Sequence, residues 1–408
     1  MTVTWDYEQL KALVRGEPLP LMVVDLDILD ANTQRLARIA QAHGKRLRVA
    51  SKSVRVPELL QHILSVGGDH FRGLMCFSAQ EAQLLRAEGF DDLLIAYPSV
   101  QPADLDVLWE LTQSGTVLTH MIDELAHVQR LADHWRQRSG GGLARPLRVC
   151  IDLDMSWRPR GIHLGVQRSP VRTLEDFRRL LDVVLQRPEL TLSGVMGYEA
   201  QVAGLPDQNP FAPLLNPIKK WIKQKSVIAV AARRREVAAL LQQRGVGIDF
   251  FNGGGTGSLR TTTLEPWVTE VTAGSGFLQS HLFDYYATNE NLPAFCFALQ
   301  VTRSSQADHV TCQSGGFIAS GPAHADKAPV PFLPAGLKPT SGEGFGEVQT
   351  PLIVPPPWRG RLQPGDPVFF RPAKAGEIAE RFNAYLLKRG NSIVGRVKTY
   401  RGLGHCFY

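Results

Sequence analysis

A single lysine and a distant glycine-rich turn are the residues of this chain whose types best suit chemistry. Lys52 ends the run R-V-A-S-K, and the turn N-G-G-G-T-G-S follows another apolar run, between Phe251 and Leu259. A lysine amine partly removed from water can form a Schiff base with an aldehyde. The backbone N–H groups of a glycine-rich turn can surround a phosphate. Together they indicate a cofactor with both an aldehyde and a phosphate, which is pyridoxal 5'-phosphate.

Two glycine-containing segments supply the predicted phosphate site. Glycine accepts positive φ and lets the backbone approach a ligand closely, and the Thr256 hydroxyl adds a donor. A second segment, T-A-G-S-G, lies downstream and is expected to close the other side of the phosphate. The residues predicted to bind the cofactor here are Gly254, Gly255, Thr256, Gly257, Gly274, Ser275 and Gly276.

Polar residues after two other predicted strands are candidates for contacts with the cofactor ring and with a substrate. Tyr198 and Gln201 lie in G-Y-E-A-Q, and we expect Tyr198 to contact the ring and Gln201 the substrate. His163, in R-G-I-H-L-G, is a second substrate candidate. An arginine that donates to the pyridine nitrogen would keep that nitrogen unprotonated. The sequence leaves three arginines open for this contact, Arg158, Arg160 and Arg168, of which Arg168 is our candidate.

These residues are expected at the ends of strands that alternate with helices. From residue 20 to about residue 280, eight short apolar runs alternate with segments of helical period. Such repeats predict an α/β fold, a TIM-type (β/α)8 barrel, with Lys52 after its second strand and the glycine turn after its eighth. The rival, an open doubly wound sheet, would carry its glycine turn after the first strand. The predicted strands are Leu21–Asp27, Arg46–Lys52, Arg72–Ser78, Asp92–Tyr97, Thr116–Ile122, Leu147–Leu153, Leu192–Tyr198 and Gly247–Asn252.

Beyond residue 280 the chain changes to short alternating stretches between dense prolines and glycines. Stretches such as P-V-F-F-R and S-I-V-G-R-V-K are typical of antiparallel strands. We also predict one helical segment there, around Gly376–Leu387. The sequence therefore predicts an N-terminal extension (residues 1–19), a barrel that binds pyridoxal phosphate (20–280) and a C-terminal β-rich domain (281–408).

The composition excludes several classes of protein. The 408 residues carry a net charge of +6, and their basic residues are scattered, so we expect neither nucleic acid nor a membrane as a partner. The five cysteines form no C-x-x-C pair and their number is odd, which argues against a disulfide framework. The chain opens on no signal-peptide pattern, and its apolar runs stay shorter than about 18 residues, so we expect a cytoplasmic protein.

These motifs together resemble the fold-type III pyridoxal-phosphate enzymes, whose barrel is that of alanine racemase. Within this class the chain is most similar to the D-threonine aldolase and D-serine dehydratase group, the amino acid deaminases and aldolases. The matching segments are Val23–Asn32, Leu47–Leu59, Ser78–Ala82, Leu94–Val100 and the two glycine segments. The resemblance implies a Schiff base on Lys52 and a lyase that acts on a small D-3-hydroxy amino acid. It also implies a homodimer, because active sites of this class form between subunits.

The sequence departs from this group where the group carries its metal site. The group has P-x-H-x-C or P-x-H-x-D in its C-terminal domain, whereas this chain has P-A-K-A-G, with Lys374 and Gly376 at the ligand positions. A protonated lysine has no lone pair and glycine has no side chain to offer a metal. We therefore assign no metal ligand here and leave the use of a divalent metal open. As a hypothesis, Lys374 supplies a fixed ammonium that binds the hydroxyl or carboxylate of the substrate.

The same cofactor supports several reactions. Cleavage of the Cα–Cβ bond gives glycine and an aldehyde, loss of the β-hydroxyl leads to a 2-oxo acid and ammonia, and proton return to the other face gives racemisation. A racemase needs a second base, for which Tyr285, Tyr286 and Tyr385 are available. The non-enzymatic alternative is a protein that binds the cofactor without turnover. Such proteins resemble the barrel alone, and residues 281–408 argue against this alternative.

Overall fold

Eight parallel strands close into a barrel, as the sequence predicts. The computed structural model describes residues 5–322 and 324–407, so residues 1–4 of the predicted N-terminal extension lie outside the described residues. The first strand of the chain, β1 (Leu21–Asp25), is separate from the barrel. The barrel strands are β2 (Arg46–Ala50), β3 (Phe71–Cys76), β4 (Leu93–Ile95), β5 (Leu118–Ile122), β6 (Leu147–Asp152), β7 (Leu190–Gly197), β8 (Phe250–Gly253) and β9 (Glu270–Ala273).

Helices cover the outside of the barrel, so most barrel strands are buried on both faces and read as unbroken apolar runs. Helix starts are set locally. Thr173 and Asp176, for example, form a reciprocal capping box at the start of the seventh helix. The helices are α1 (Tyr7–Leu13), α2 (Leu26–Gln41), α3 (Pro57–Gly67), α4 (Ala79–Ala87), α5 (Pro102–Gln113), α6 (Leu125–Ser139), α7 (Leu174–Leu185), α8 (Ala200–Ala203), α9 (Asn216–Gln243), α10 (Leu259–Thr262) and α11 (Ser275–Leu278).

A second, mostly antiparallel sheet contains the strands after residue 294 together with β1. In it β1 pairs antiparallel with β10 and parallel with β16. Its later strands are β10 (Phe295–Gln306), β11 (His309–Gln313), β12 (Val330–Leu333), β13 (Lys338–Pro339), β14 (Gln349–Ile353), β15 (Pro367–Arg371), β16 (Ala384–Arg389) and β17 (Ser392–Lys398). The architecture is therefore a (β/α)8 barrel plus a β-rich sheet, which confirms the predicted fold class. The predicted division at residues 19/20 and 280/281 stays a prediction.

Three elements differ from those predicted. The first predicted barrel strand, Leu21–Asp27, is wrong, because Leu21–Asp25 joins the second sheet. An apolar run is buried equally well in either sheet, so its pattern does not identify its partner. The eighth barrel strand is instead Glu270–Ala273, which moves Lys52 to the end of the first barrel strand and the glycine turn to the end of the seventh. The helix predicted around Gly376–Leu387 is a short 3-10 turn followed by β16.

An ion pair inside the barrel explains why its eighth strand was missed. Glu270 on β9 binds the fully buried Arg48 on β2 through two bonds, of 2.8 and 2.9 Å. Asn252 on β8 donates to the same carboxylate at 2.7 Å. These bonds link the strands on either side of β9, and a buried pair of this kind is tolerated because each charge is fully hydrogen-bonded. The glutamate makes β9 look polar, although it is buried like the strands around it.

Candidate active site

A cavity of about 420 Å³ opens at the carboxyl ends of the barrel strands, the end where barrels carry their active sites. Its apolar lining includes four methionines, one each from or after β3, β5, β6 and β7. Its polar lining comes from nearly every strand end around the mouth. The main polar and glycine residues are Lys52, Tyr97, Asp123, Asp152, Arg168, Tyr198, Asn252, Gly254, Gly255, Thr256, Gly274 and Ser275.

Lys52 reaches this cavity from a single 3-10 turn, Ser51–Ser53, that directly follows β2. The Ser51 hydroxyl donates to the carbonyl of Met75 at 2.9 Å and ties the turn to the neighbouring strand. The Lys52 ammonium donates to the Tyr97 hydroxyl at 2.7 Å. Tyr97 was not among the predicted contacts, although it ends a predicted strand. Its position at the carboxyl end of a barrel strand is the sequence feature that would have identified it.

The second sheet holds the Lys52 turn from outside. A side chain on Gly376 would overlap the carbonyl oxygen of Lys52, so this position has no room for any larger residue. The backbone N–H of Tyr400 donates to the Arg55 carbonyl at 3.0 Å, and Arg55 pairs with Glu380 at 2.7 Å. The segment that the resemblance aligns with a metal site is therefore packed against the backbone of the lysine turn.

The glycine loop after β8 has the form of an anion cradle. Gly254 has a φ of +86°, in the left-handed region that favours glycine. A Cβ at Gly255 would lie 3.1 Å from both Tyr198 and Ala203, so the loop backbone is close to its neighbours. Within the described part of the chain, the N–H groups of Thr256 and Gly257 have no hydrogen-bond acceptor. Thr256 lines the cavity, and an unsatisfied donor there fits a bound phosphate.

A buried carboxylate fixes this loop from behind. Glu199 accepts hydrogen bonds from the Gly254 N–H at 3.2 Å, the Ser258 hydroxyl at 2.6 Å and the Thr262 hydroxyl at 2.5 Å. It also pairs with the fully buried Arg234. Burial alone would raise the pKa of Glu199, but Arg234 and the hydroxyl donors hold that pKa below its usual range. The loop shape is therefore set before any ligand arrives.

The second predicted phosphate segment closes the same side of the cavity. The Gly276 N–H donates to the Thr256 hydroxyl at 3.0 Å, so the two segments are joined. A Cβ at Gly274 would lie 3.0 Å from Ala50 and closer still to Ser53, which places the segment against the lysine turn. Of the seven predicted phosphate residues, Gly257 and Gly276 lie behind the wall and the other five line the cavity.

Tyr198 and Arg168, the candidates for contacts with the cofactor ring, both line the cavity. Burial, and then the neighbouring Glu199 charge, raise the pKa of the Tyr198 hydroxyl to about 12, so it stays a neutral donor. The two other arginines considered, Arg158 and Arg160, are not among the cavity residues. Their location favours Arg168 among the three.

The three predicted substrate residues do not line this cavity. Gln201 donates to the Met155 carbonyl at 2.6 Å, just behind the wall. Both ring nitrogens of His163 are buried without a partner in the described residues. Lys374 lies in a second cavity, of about 540 Å³, where its ammonium donates to Ser320 at 2.7 Å and Glu377 at 3.0 Å. Their contacts with a substrate stay predictions.

The sequence analysis also missed an acidic side of the cavity. Asp123, Glu124 and His127 follow β5, and Asp152 ends β6. The sequence D-E-L-A-H, directly after a predicted strand, was the available indication, because residues i and i+4 share one face of a helix. These residues stand on the side of the barrel mouth away from the phosphate loops, since β5 and β9 are four strands apart in a closed ring of eight.

A comparison with sequence families matches residues 24–275, more than half of the chain, to the alanine racemase N-terminal domain. A curated relative, 3-hydroxy-D-aspartate aldolase of Paracoccus denitrificans (strain Pd 1222), is 25% identical over 274 residues. That match covers 67% of this chain and 64% of the relative, so it spans less than two thirds of the relative's length. Among the described residues, no helix combines the length and apolarity needed to span a membrane.

Solved structures share the whole architecture. The D-threonine aldolase of Filomicrobium marinum superposes with a TM-score of 0.78 at 18% identity, over 96% of both chains. The D-threo-3-hydroxyaspartate dehydratase of Delftia sp. HT23 superposes with a TM-score of 0.72 at 19% identity, over 94% of this chain and 98% of the dehydratase. At these identities the likeness establishes the fold alone.

Proposed function

Because the chain belongs to the alanine racemase N-terminal domain family, we propose that it is a pyridoxal-phosphate-dependent lyase acting on a small D-3-hydroxy amino acid. One observation carries the proposal: the Lys52 amine and the phosphate cradle open into the same cavity, at the carboxyl end of one barrel. The names of the curated relatives, which are aldolases and a dehydratase for D-3-hydroxy amino acids, support the substrate class.

The residues that line the cavity fit this cofactor. Lys52 would hold it as a Schiff base, and the loops at Gly254–Thr256 and at Ser275 would hold its phosphate. Both Arg168 and Tyr198 line this cavity, where Arg168 would face the ring nitrogen and Tyr198 the ring or its oxygens. When bound, the cofactor supplies an aldehyde that takes up amines and a ring that stabilises negative charge at Cα.

The chain itself positions protons and excludes water. Tyr97 accepts an N–H of Lys52 at 2.7 Å, so this hydroxyl orients the amine and offers a route for a proton between the two groups. The four methionines give part of the lining an apolar surface, which lowers the local dielectric and strengthens electrostatic interactions beside it. Both effects favour reactions in which a proton moves between a substrate and Lys52.

The racemase alternative needs a second base, and the three tyrosines considered for it do not line the cavity of their own chain. Tyr286 is buried and donates to the Ala203 carbonyl at 3.0 Å, and Tyr385 is fully buried in the second sheet. Tyr285 lies 3.2 Å from a ring nitrogen of His281. These contacts favour a lyase. Between aldol cleavage and dehydration we propose no choice, and the homodimer and the cytoplasmic location stay predictions.

The test is an absorbance spectrum of the purified protein with added pyridoxal phosphate, titrated with D-threonine, D-serine and D-threo-3-hydroxyaspartate. We expect a Schiff-base band that Lys52→Ala abolishes and that the exposed-site control Lys220→Ala leaves intact. Product analysis then separates glycine plus aldehyde from 2-oxo acid plus ammonia. Absence of the band in the wild-type protein at saturating cofactor would overturn the proposal. A band that no amino acid perturbs would leave a cofactor-binding protein without turnover.

A further inference from the structure

One side of the active-site cavity carries carboxylates that the proposed cofactor chemistry does not use. We call it the acidic wall, formed by Asp123, Glu124 and His127 after β5 and by Asp152 at the end of β6. It faces the cavity together with two cations, Lys52 and Arg168. Because Lys52 would be bonded to the cofactor as a Schiff base, its free ammonium would no longer face the wall. The carboxylates would then outnumber the remaining cation, Arg168.

Two members of the wall are already at the spacing of ligands on one metal ion. Asp123 lies just before α6 and His127 in its first turn, and Asp123 Oδ1 lies 3.1 Å from His127 Nδ1. Two ligands at about 2.1 Å from one ion, at tetrahedral to octahedral angles, lie about 3.0–3.4 Å from each other. The Asp123 N–H is 3.4 Å from the same nitrogen, too long for a strong competing hydrogen bond.

A third donor completes a possible coordination set. Glu124 lies beside Asp123, and one ligand atom from each of Asp123, Glu124 and His127 lies within 4.8 Å of the others. Asp123 is buried, His127 is half-buried and Glu124 is exposed, so a cation could enter from solvent past Glu124. One imidazole with two carboxylates is a donor set that suits Zn²⁺ or Mn²⁺.

Asp152 independently adds an unpartnered carboxylate oxygen to the wall. Its Oδ1 atom is buried and has no hydrogen-bond partner in the described residues. Burial, and then the nearby Asp123 charge, raise the pKa of Asp152 well above its usual range, although Arg168 partly offsets this effect. Two neighbouring carboxylates that repel each other in a low-dielectric cavity are stabilised by a divalent cation between or beside them.

We propose that Asp123, Glu124 and His127 bind a divalent cation, Zn²⁺ or Mn²⁺, in the wall of this cavity, with the Asp152 carboxylate beside it. The site is distinct from the position of Lys374, which lines the second cavity, and of Gly376, which packs against the backbone of the lysine turn. A cation here is placed to take an oxygen of a small ligand in the cavity. That last role rests on the proposed function, whereas the binding of the cation does not.

The test measures metal binding directly. Full-length protein, with and without pyridoxal phosphate, is cleared of metal with a chelator and equilibrated by dialysis against Zn²⁺ or Mn²⁺. We expect one equivalent per chain. Asp123→Asn and His127→Gln should each weaken binding at least about tenfold, since loss of even an outer-shell partner costs about 10–100-fold in affinity. His134→Gln changes a histidine of the same helix outside the cavity and should leave binding unchanged.

Folding of each variant is checked by circular dichroism, and Glu124→Gln, at an exposed position, gives a variant with little risk to the fold. A several-fold loss of affinity in Glu124→Gln supports the site. Absence of saturable binding in the wild type, or equal binding in the wild type and all three ligand variants, would overturn the proposal. If the protein binds metal but shows no cofactor absorbance band, the proposed function alone is overturned. If it shows the band but binds no metal, the metal site alone is overturned.

Discussion

The two sides of the active-site cavity satisfy their buried carboxylates in opposite ways. On the phosphate side, Glu199 is compensated by Arg234 and by hydroxyl and amide donors, and its pKa is lowered. On the acidic wall, Asp152 has an unpartnered buried oxygen and its pKa is raised. The phosphate side is therefore a rigid cradle that the chain itself completes. The other side keeps a buried carboxylate oxygen without a hydrogen-bond partner, which a bound species can satisfy.

The largest effect is expected from removing the compensated carboxylate. Glu199→Ala removes one of the two carboxylates that pair with the fully buried Arg234, the other being Glu265, and unties the glycine loop. We expect a loss of about 3 kcal/mol in the free energy of unfolding, the lower end of the cost of breaking a buried pair, because Glu265 still faces Arg234. Chemical denaturation measures it. Glu199→Gln keeps the acceptor oxygen and should cost less, and an equal loss in both would argue against the charge as the cause.

A smaller effect is expected from filling the cradle itself. Gly255→Ala places a Cβ 3.1 Å from Tyr198 and Ala203 and forces the loop outward. We expect a cost of about 1–3 kcal/mol for this overpacking, together with weaker retention of pyridoxal phosphate. The control is Gly247→Ala, where an added Cβ meets no atom within 4 Å. Denaturation and a cofactor titration measure both, and unchanged cofactor affinity in Gly255→Ala would argue against a phosphate at this loop.

On the acidic wall we expect a substitution to stabilise the protein instead of destabilising it. Because the folded-state pKa of Asp152 is raised, its contribution to stability is fully present below its unfolded pKa of about 3.9 and is lost as the pH rises through the folded pKa. In metal-free protein at pH 7, Asp152→Asn should therefore gain about 1–3 kcal/mol, the usual penalty of a buried unsatisfied group. Denaturation curves from pH 4 to 8 measure the gain, and added Zn²⁺ should reduce it. Destabilisation by Asp152→Asn at pH 7 would contradict the contrast between the two sides.

The smallest change in the free energy of unfolding is expected at Tyr97, which lies between the two sides of the cavity. Tyr97→Phe removes the hydroxyl that accepts from Lys52 at 2.7 Å, at a half-buried position. The loss in the free energy of unfolding should be about 0.5–1.5 kcal/mol, the net value of one hydrogen bond. The cofactor absorbance band should still form, since Lys52 remains. A variant that no longer forms the band would show that Tyr97 does more than orient the amine.

Much of the fold could be predicted because local patterns of apolar and polar residues identify most of its strands and helices. The β2–β8 runs are apolar and bounded by helical segments, so their strand identity needs no knowledge of partners. The predictions failed where the position of a strand depends on the residues that it contacts in space. The apolar run at Leu21–Asp25 is compatible with either sheet, and β9 contains Glu270, whose charge only Arg48 on a strand distant in the chain makes acceptable in the core.

The candidate site divides in the same way. The positions of Lys52 and of the glycine loop follow from strand ends and glycine content, which are local features of the chain. The placement of Lys374 in another cavity and the support of the loop by Arg234 could not be predicted. These contacts join residues far apart in sequence, and no spacing in the chain records them.

The sequence by itself thus determined the barrel, the lysine at one strand end and a phosphate cradle at another. Their information lies in hydrophobic period and in the conformational freedom of glycine, both of which act within a few residues. Only the tertiary structure decided the surroundings of each buried carboxylate. Glu199 pairs with Arg234, whereas one oxygen of Asp152 has no hydrogen-bond partner among the described residues. The physical reason is that the cost of a buried charge depends on the atoms within a few ångströms in space, and in a closed barrel those atoms come from distant parts of the chain.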